Sequence, residues 1–286
     1  MTKIARNVAL ITGASSGIGL STAVELARRD FVVYAGTRNT GRAQKVAGLL
    51  KEISADSDFV GLEITDSADV QSVVERIINE TGRIDVLINN AGYRLEGFLE
   101  DTSLEEARDQ IETNLMGPIN VIKAVLPHMR KNGGGRIINV SCLAGQVGEA
   151  GAAIFCASKS GLEGLSESLR HELLSDGILV SVVVPGPVNT NFYSRNLRIA
   201  TLAHLPSRPH FEPMRRISFY QDIATRYSSN TVDDIARVIA QIATVRTPGF
   251  RYYAGGGTRV DRILKRALPS RLWQKFIAVR MRVPKE

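Results

Sequence analysis

The chain has 286 residues, 44% of them hydrophobic and 23% charged, with a formal net charge of +7. That length buries a full core within one α/β domain, and no apolar run is long enough to span a bilayer. Met1-Thr2-Lys3 opens no secretion signal, and Cys142 and Cys156 are too few for a disulfide framework and lack metal-ligand spacing, so a reducing, cytoplasmic, metal-free protein is expected.

Val8-Ala9-Leu10-Ile11-Thr12 reads as a buried strand, and the run through Ala23, Leu26 and Ala27 as a helix. Between them lies Gly13-Ala14-Ser15-Ser16-Gly17-Ile18-Gly19. Gly13 can take backbone angles that a side chain forbids, so the strand reverses sharply into the helix. Without side chains at Gly17 and Gly19 a pyrophosphate can approach the backbone, where helix N-terminal N–H groups and the dipole favour an anion. An ordinary strand-to-helix turn is the alternative; the motif's place at the head of an alternating strand/helix chain favours a dinucleotide.

Residues 31–35 form a second strand, followed by Gly36-Thr37-Arg38-Asn39. An acidic residue near this point would accept from the adenosine ribose hydroxyls. Arg38 instead suits a ribose 2′-phosphate, which favours NADP(H) over NAD(H).

Residues 41–54 read as a short polar helix and 59–62 as a third strand running into Glu63-Ile64-Thr65-Asp66. A helix over 67–81 follows, then a fourth strand over 85–88 ending in Asn89-Asn90-Ala91-Gly92, small residues that let a ligand lie against the sheet edge. Ser103 with Glu106 makes a capping box for one long helix to about residue 131, stopped by Gly133-Gly134-Gly135. Residues 136–140 form the fifth strand, 156–174 a helix and 179–184 the sixth strand, closed by Pro185-Gly186-Pro187.

Periodicity fades over 188–230, which reads as an insertion lining a pocket. Thr231 with Asp234 restarts a helix, and 250–253 is the last strand. Alternating strands and helices with short joints mean a parallel sheet covered on both faces, one domain over residues 1–255. The remainder, 256–286, carries nine Lys or Arg residues between Arg259 and Lys285 and two amphipathic segments divided by Pro269. Packing on its own domain is favoured over contact with an anionic membrane surface, and no nucleic-acid motif accompanies the charge.

Thr12-Gly13-x-x-x-Gly17-x-Gly19, Asn89-Asn90-Ala91-Gly92, Asn114, Lys159 and Pro185-Gly186 with Thr190, in this order, resemble the short-chain dehydrogenase/reductase family in its one-domain form over residues 5–255. The tail is similar to that of the steroid and retinol dehydrogenase-like branch. The resemblance implies a doubly wound, seven-stranded parallel sheet of Rossmann type in a single domain. It also implies homodimers or homotetramers built on the helices around 104–131 and 156–174. It carries cofactor binding onto Gly13, Ser15, Ser16, Gly17, Ile18, Gly19, Arg38, Glu63, Ile64, Asn90, Ala91, Gly92, Lys159, Pro185, Gly186, Val188 and Thr190.

The family pattern has a tyrosine four residues before the lysine and a serine thirteen residues before that tyrosine. The resemblance implies that the tyrosine exchanges a proton with the substrate oxygen, which the serine orients. The lysine holds the nicotinamide ribose and lowers the tyrosine's pKa, and the asparagine holds a relay water. Here those places hold Phe155 and Cys142, while Lys159 and Asn114 remain. Ser141 is adjacent, but strand alternation points it to the other face. Losing a positioned general acid costs about two to four orders of magnitude in rate.

Three explanations follow. The chain is an oxidoreductase whose proton comes from Cys142 acidified by Lys159, from a water held by Lys159 and Asn114, or from Tyr93 or Tyr193. Alternatively it performs non-redox chemistry such as cyclisation, isomerisation or elimination, with NADP as pocket wall. The third is a cofactor-binding protein without catalysis. Tyr93, Val147, Phe192 and Tyr193, with Phe98, Phe211 and Phe219, suggest an apolar pocket for a ring-containing metabolite.

Overall fold

The computed structural model describes residues 6–38, 41, 43–188, 196–256, 268, 269, 271, 272 and 275. The expected Thr190, Phe192 and Tyr193, and most of the basic tail, lie outside the described residues.

β1 (Val8–Thr12) is buried at every position, and its alternate residues serve two cores. Ala9 and Ile11 pack with α1 (Gly17–Arg28) and α8 (Val232–Thr244), whereas Val8 and Leu10 face α3 (Ser67–Thr81) and α5 (Gly117–Lys131). β2 (Val32–Thr37), α2 (Ala43–Ile53) and β3 (Asp58–Gly61) continue to one side. β4 (Val86–Asn89), β6 (Gly135–Val140), β7 (Ile178–Pro185) and β9 (Arg251–Ala254) build the other.

The strand order is β3-β2-β1-β4-β6-β7-β9, and every pairing is parallel. The order reverses between β1 and β4, joined with Ile11 opposite Ile88. A crevice outside the carboxyl ends of strands at such a reversal is where open α/β sheets bind ligands. The expected seven-stranded, doubly wound single domain is therefore found. Among the described residues no helix is long and apolar enough to cross a membrane.

Both capping boxes form as read: Ser103 with Glu106, and Thr231 with Asp234. The single long helix expected after Ser103 does not. α4 (Leu104–Ile111) gives way to a π-helical turn at Glu112–Met116 before α5 begins. The extra residue per turn leaves Asn114 wholly buried, and wide turns of this kind recur at functional sites. Periodicity alone cannot show one inserted residue.

The insertion is also more regular than its sequence suggests. β8 (Leu197–Ile199) pairs in parallel with β5 (Arg94–Glu96), and α7 (Phe211–Arg226) lies beyond a 3-10 turn at Thr201–His204. This two-stranded sheet ties the insertion to the chain just after Asn89-Asn90-Ala91-Gly92. α6 (Ala153–Glu172) carries Phe155 and Lys159 back toward the crevice.

Ile137 lies at the centre of β6, fully buried. Truncating such a side chain leaves a cavity as well as losing burial. Ile137→Ala is therefore expected to lower unfolding stability by about 2–5 kcal/mol in guanidinium titration, with the same fold by circular dichroism.

Candidate active site

The crevice is sewn shut at its base by Thr12 and Asn90. Thr12 Oγ1 accepts from the backbone N–H groups of Asn90 and Ala91, both at 3.0 Å. Asn90 Nδ2 donates to the carbonyls of Thr12 and Gly13, both at 3.1 Å. The turns after β1 and β4 therefore touch, leaving no room for side chains: a Cβ on Gly13 would lie 2.7 Å from Ala91 Cα, and one on Gly19 2.5 Å from Asn90 Nδ2. Gly13 also has φ +68°, a left-handed conformation that strains any other residue. Gly17, at φ +57°, faces open space with nothing within 4 Å of its absent Cβ, which is the cradle a pyrophosphate needs. Ser15, Ser16 and Ile18 line the same turn, half-buried, with Ser16 at the N-cap of α1.

Arg38 stands exposed at the end of β2, its Nε 3.7 Å from Glu63 Oε2. Glu63 is itself fixed, its backbone N–H donating to Asp69 Oδ2 at 2.6 Å. Ile64 is buried against Gly117, and its carbonyl accepts from Asn120 Nδ2 at 3.1 Å. At the far end Gly186 N donates to Ala254 O at 2.8 Å, and Val188 is buried. Asn230 braces this end: Nδ2 donates to Pro187 O at 2.8 Å, and Oδ1 accepts from Gly256 N at 2.7 Å.

Lys159 and Asn114 come together beside Gly92. Lys159 is buried, its Nζ donating to Val140 O at 2.9 Å. Burial pulls its pKa below that of a free ammonium, partly opposed by Cys142 and Glu163. Asn114 Oδ1 accepts from Tyr93 N at 3.1 Å, and Nδ2 donates to Tyr93 O at 2.9 Å and to Ser158 Oγ at 3.2 Å. A Cβ on Gly92 would lie 3.0 Å from Asn114 Oδ1 and 3.8 Å from Lys159 Nζ, so its absence keeps space between the two.

Phe155 is buried with Ala144, Ala152 and Cys156, and Cys142 packs against the group. Two expected proton donors fail here. Part of Cys142 reaches the surface, yet burial dominates at its sulfur and pushes the thiol up to about 11; nearby Lys159 opposes this without overcoming it. Cys142 is thus not acidified. Tyr93 turns its ring to Leu95, Glu106, Asp109 and Arg198, with the Arg198 guanidinium 4.3 Å from its centroid and burial raising its pKa. Only its backbone meets Asn114.

Ser141 faces away as alternation requires, donating to Glu163 Oε1 at 2.9 Å. Val147 is buried beside this loop, its carbonyl near Cys156 Sγ. Phe98 stacks on His210 with centroids 4.2 Å apart, while Phe211 and Phe219 line a separate hollow with Ile199, Ala203 and Met214.

The family model for short chain dehydrogenases matches residues 7–198. The chain belongs to the short-chain dehydrogenase/reductase family. Members bind a nicotinamide dinucleotide, and the cradle on Gly13, Gly17 and Gly19 fits one. The chain is 35% identical over 278 residues to the uncharacterized oxidoreductase YusZ of Bacillus subtilis, covering 95% of this chain and 97% of that protein. It is 36% identical over 237 residues to the 3-oxoacyl-[acyl-carrier-protein] reductase FabG of Escherichia coli, covering 82% and 93%. The crystal structure of a short-chain dehydrogenase from Streptomyces avermitilis superposes with a TM-score of 0.79 at 28% identity, covering 95% of this chain and 98% of that one.

Sequence reading missed the charged residues around Phe155, namely Arg94, Glu96 and Glu149. Arg94-Leu95-Glu96 carried the available signal, since i and i+2 on a strand share a face.

Two outcomes are expected. Gly13→Ala brings Cβ against Ala91 and strains φ, so nucleotide binding by calorimetry weakens about tenfold or more. Alkylation of Cys142, followed by mass spectrometry, is slow near neutral pH and rises as pH climbs toward about 11. A neutral-pH midpoint would contradict the thiol's burial.

Proposed function

We propose that this chain is an NADP(H)-dependent oxidoreductase acting on a carbonyl or hydroxyl of an apolar, ring-containing metabolite, at a centre lacking the family's tyrosine and serine. The observation that carries the reading is the retained pair of Lys159 and Asn114 beside an intact dinucleotide cradle. The E. coli relative's name, a 3-oxoacyl reductase, supports carbonyl reduction.

Arg38 supports the phosphorylated cofactor. Its guanidinium is exposed and held only loosely by Glu63, at 3.7 Å, so it is available to a 2′-phosphate. Gly13, Gly17, Gly19 and Asn90 would hold the pyrophosphate side, with Ser15, Ser16 and Ile18 around it. Ile64, Ala91 and Gly92 would flank the adenosine and ribose, and Pro185, Gly186 and Val188 would close the nicotinamide side. When bound, the nicotinamide supplies or accepts a hydride.

The chain's own task is the proton. Lys159 keeps donors beyond the bond to Val140, and the space that Gly92 leaves between its ammonium and Asn114 Oδ1 suits a water. That water gives its proton to the substrate oxygen and is replenished from the ammonium, which burial makes a better acid. Cys142 contributes a weak S–H contact to the oxygen, and Phe155 an apolar floor.

A second reading is favoured by the same centre. Cys142 is a weaker acid than a free thiol, Ser141 is turned to Glu163 and the Tyr93 ring to Arg198, so none is a poised general acid there, which suits cyclisation, isomerisation or elimination with NADP as pocket wall. Cofactor turnover separates the two.

Restoring both hydroxyls, in Phe155→Tyr with Cys142→Ser, is expected to raise NADPH consumption across a panel of apolar cyclic ketones by about 10²–10⁴-fold. Substrate conversion with no change in cofactor redox state would establish the second reading. Arg38→Ala is expected to raise the KM for NADPH about tenfold or more while leaving that for NADH within about twofold. Reductive turnover should be full below the depressed pKa of Lys159 and decline as pH rises through it, at lower pH than a free ammonium would dictate.

A further inference from the structure

Arg94 and Glu96 on β5 are 4% and 1% exposed and pair with each other, Nε to Oε1 at 2.8 Å. Arg94 Nη1 donates to Glu149 Oε2 at 2.7 Å, reaching the loop between β6 and α6. The backbone N–H of Glu149 points to Cys156 Sγ at 3.3 Å, next to Phe155. From the insertion, Ser218 Oγ donates to Glu96 Oε2 at 3.0 Å. Gln221, in the amide orientation that matches donors to acceptors, accepts from Arg94 Nη2 at 2.6 Å and donates to Glu96 Oε1. Met214, one turn before Ser218, closes on Gly151, where a Cβ would lie 2.9 Å from its sulfur. Finally, the Arg94 guanidinium carbon lies 5.1 Å from the centroid of the Phe155 ring.

One cation therefore touches the strand after Asn89-Asn90-Ala91-Gly92, the loop bearing Cys142, the insertion helix and the ring that replaces the family's phenol. Its Nε, Nη1 and Nη2 are engaged by Glu96, Glu149 and Gln221, so the cluster is not a receptor for a substrate carboxylate. A buried ion pair is a poor source of net stability, because desolvation offsets the attraction. What a planar guanidinium fork supplies is direction: several partners are fixed in one geometry at once. An aromatic face without a hydroxyl lets the cation lie against it through the ring quadrupole.

We propose that Arg94 is the positioning residue of this centre, setting the Phe155 ring and fastening α7 beside it, so that the ring and α7 open and close together. The location of the centre comes from the functional reading above, but the coupling between ring and helix needs neither cofactor nor substrate to be observed.

The experiment is amide hydrogen exchange on the full chain without ligand. Phe155→Leu, made on α6, is expected to raise exchange across residues 211–226 about tenfold, as is Gln221→Leu with Ser218→Ala on the helix itself. Exchange in β1 and α1 should stay unchanged. Arg94→Met with Glu96→Met removes both charges at similar volume, so no buried carboxylate is left alone on β5, and should reproduce the effect. Arg94→Lys keeps the charge but loses the fork, and should fail to restore wild-type protection. Unchanged exchange over 211–226 in Phe155→Leu, or a rise spread evenly over the sheet, would overturn the proposal. Failure to find hydride transfer would remove the functional reading and leave this coupling standing.

Discussion

The contact between the turns after β1 and β4 is the constraint on which the site depends. At the point where strand order reverses, Thr12 Oγ1 receives two backbone N–H groups from the neighbouring strand's end, and Asn90 returns two bonds to the glycine turn. Backbone groups at strand ends have no ladder partner and must find one elsewhere. Spending a threonine hydroxyl and an asparagine amide on them brings the two turns close enough that only glycine fits at positions 13 and 19. The bare backbone this leaves around Gly17 is the electrostatic cradle. On the proposed reading, room for a nucleotide is a by-product of how two strand ends satisfy each other.

The reacting centre is organised by different means. Asn114 reaches it because a π-helical turn feeds one extra residue between α4 and α5, and its amide then holds the backbone of Tyr93 on both sides. Lys159 reaches it from α6 and is held by Val140 O at the end of β6. On the family resemblance these are two of its positions, and the places of its two hydroxyls hold a ring, Phe155, and a thiol, Cys142. Retaining a buried lysine has an energetic cost, since burial disfavours its charged form. A side chain held at that cost, with its partner in place, supports continued use of the ammonium.

Most of the sheet was legible because strands buried on both faces read as unbroken apolar runs, as in Val8–Thr12 and Ile178–Pro185, and because caps such as Ser103 with Glu106 have local signatures. The glycine turn after β1 was legible because glycine there answers a local steric demand. The π-turn was not, since one extra residue does not disturb a helical pattern enough to show. α7 escaped because its inward positions, Met214, Ser218 and Gln221, mix a thioether with polar groups that meet buried charges, so hydrophobic periodicity fades where contact is closest. Acidification of Cys142 failed as an expectation for a related reason: the distance to Lys159 was guessable from the motif, but the burial that outweighs it was not.

Buried charge flanks α6 on both sides. On one, Glu163 takes Ser141, Gln146 and Arg251, tying the β6 end to β9. On the other, Arg94 takes Glu96, Glu149 and Gln221, tying β5 to the insertion. Apolar side chains of equal volume would stabilise these contacts as well or better, but they slide and repack, whereas hydrogen-bonded charges admit few alternative geometries. Phe155, against Arg94, and Lys159, within the electrostatic reach of Glu163, lie one turn apart on the same helix. A ring at position 155 that cannot donate a proton can still be held in register with the ammonium at 159. In this chain buried charge fixes the ring at the place where the family resemblance puts a phenol.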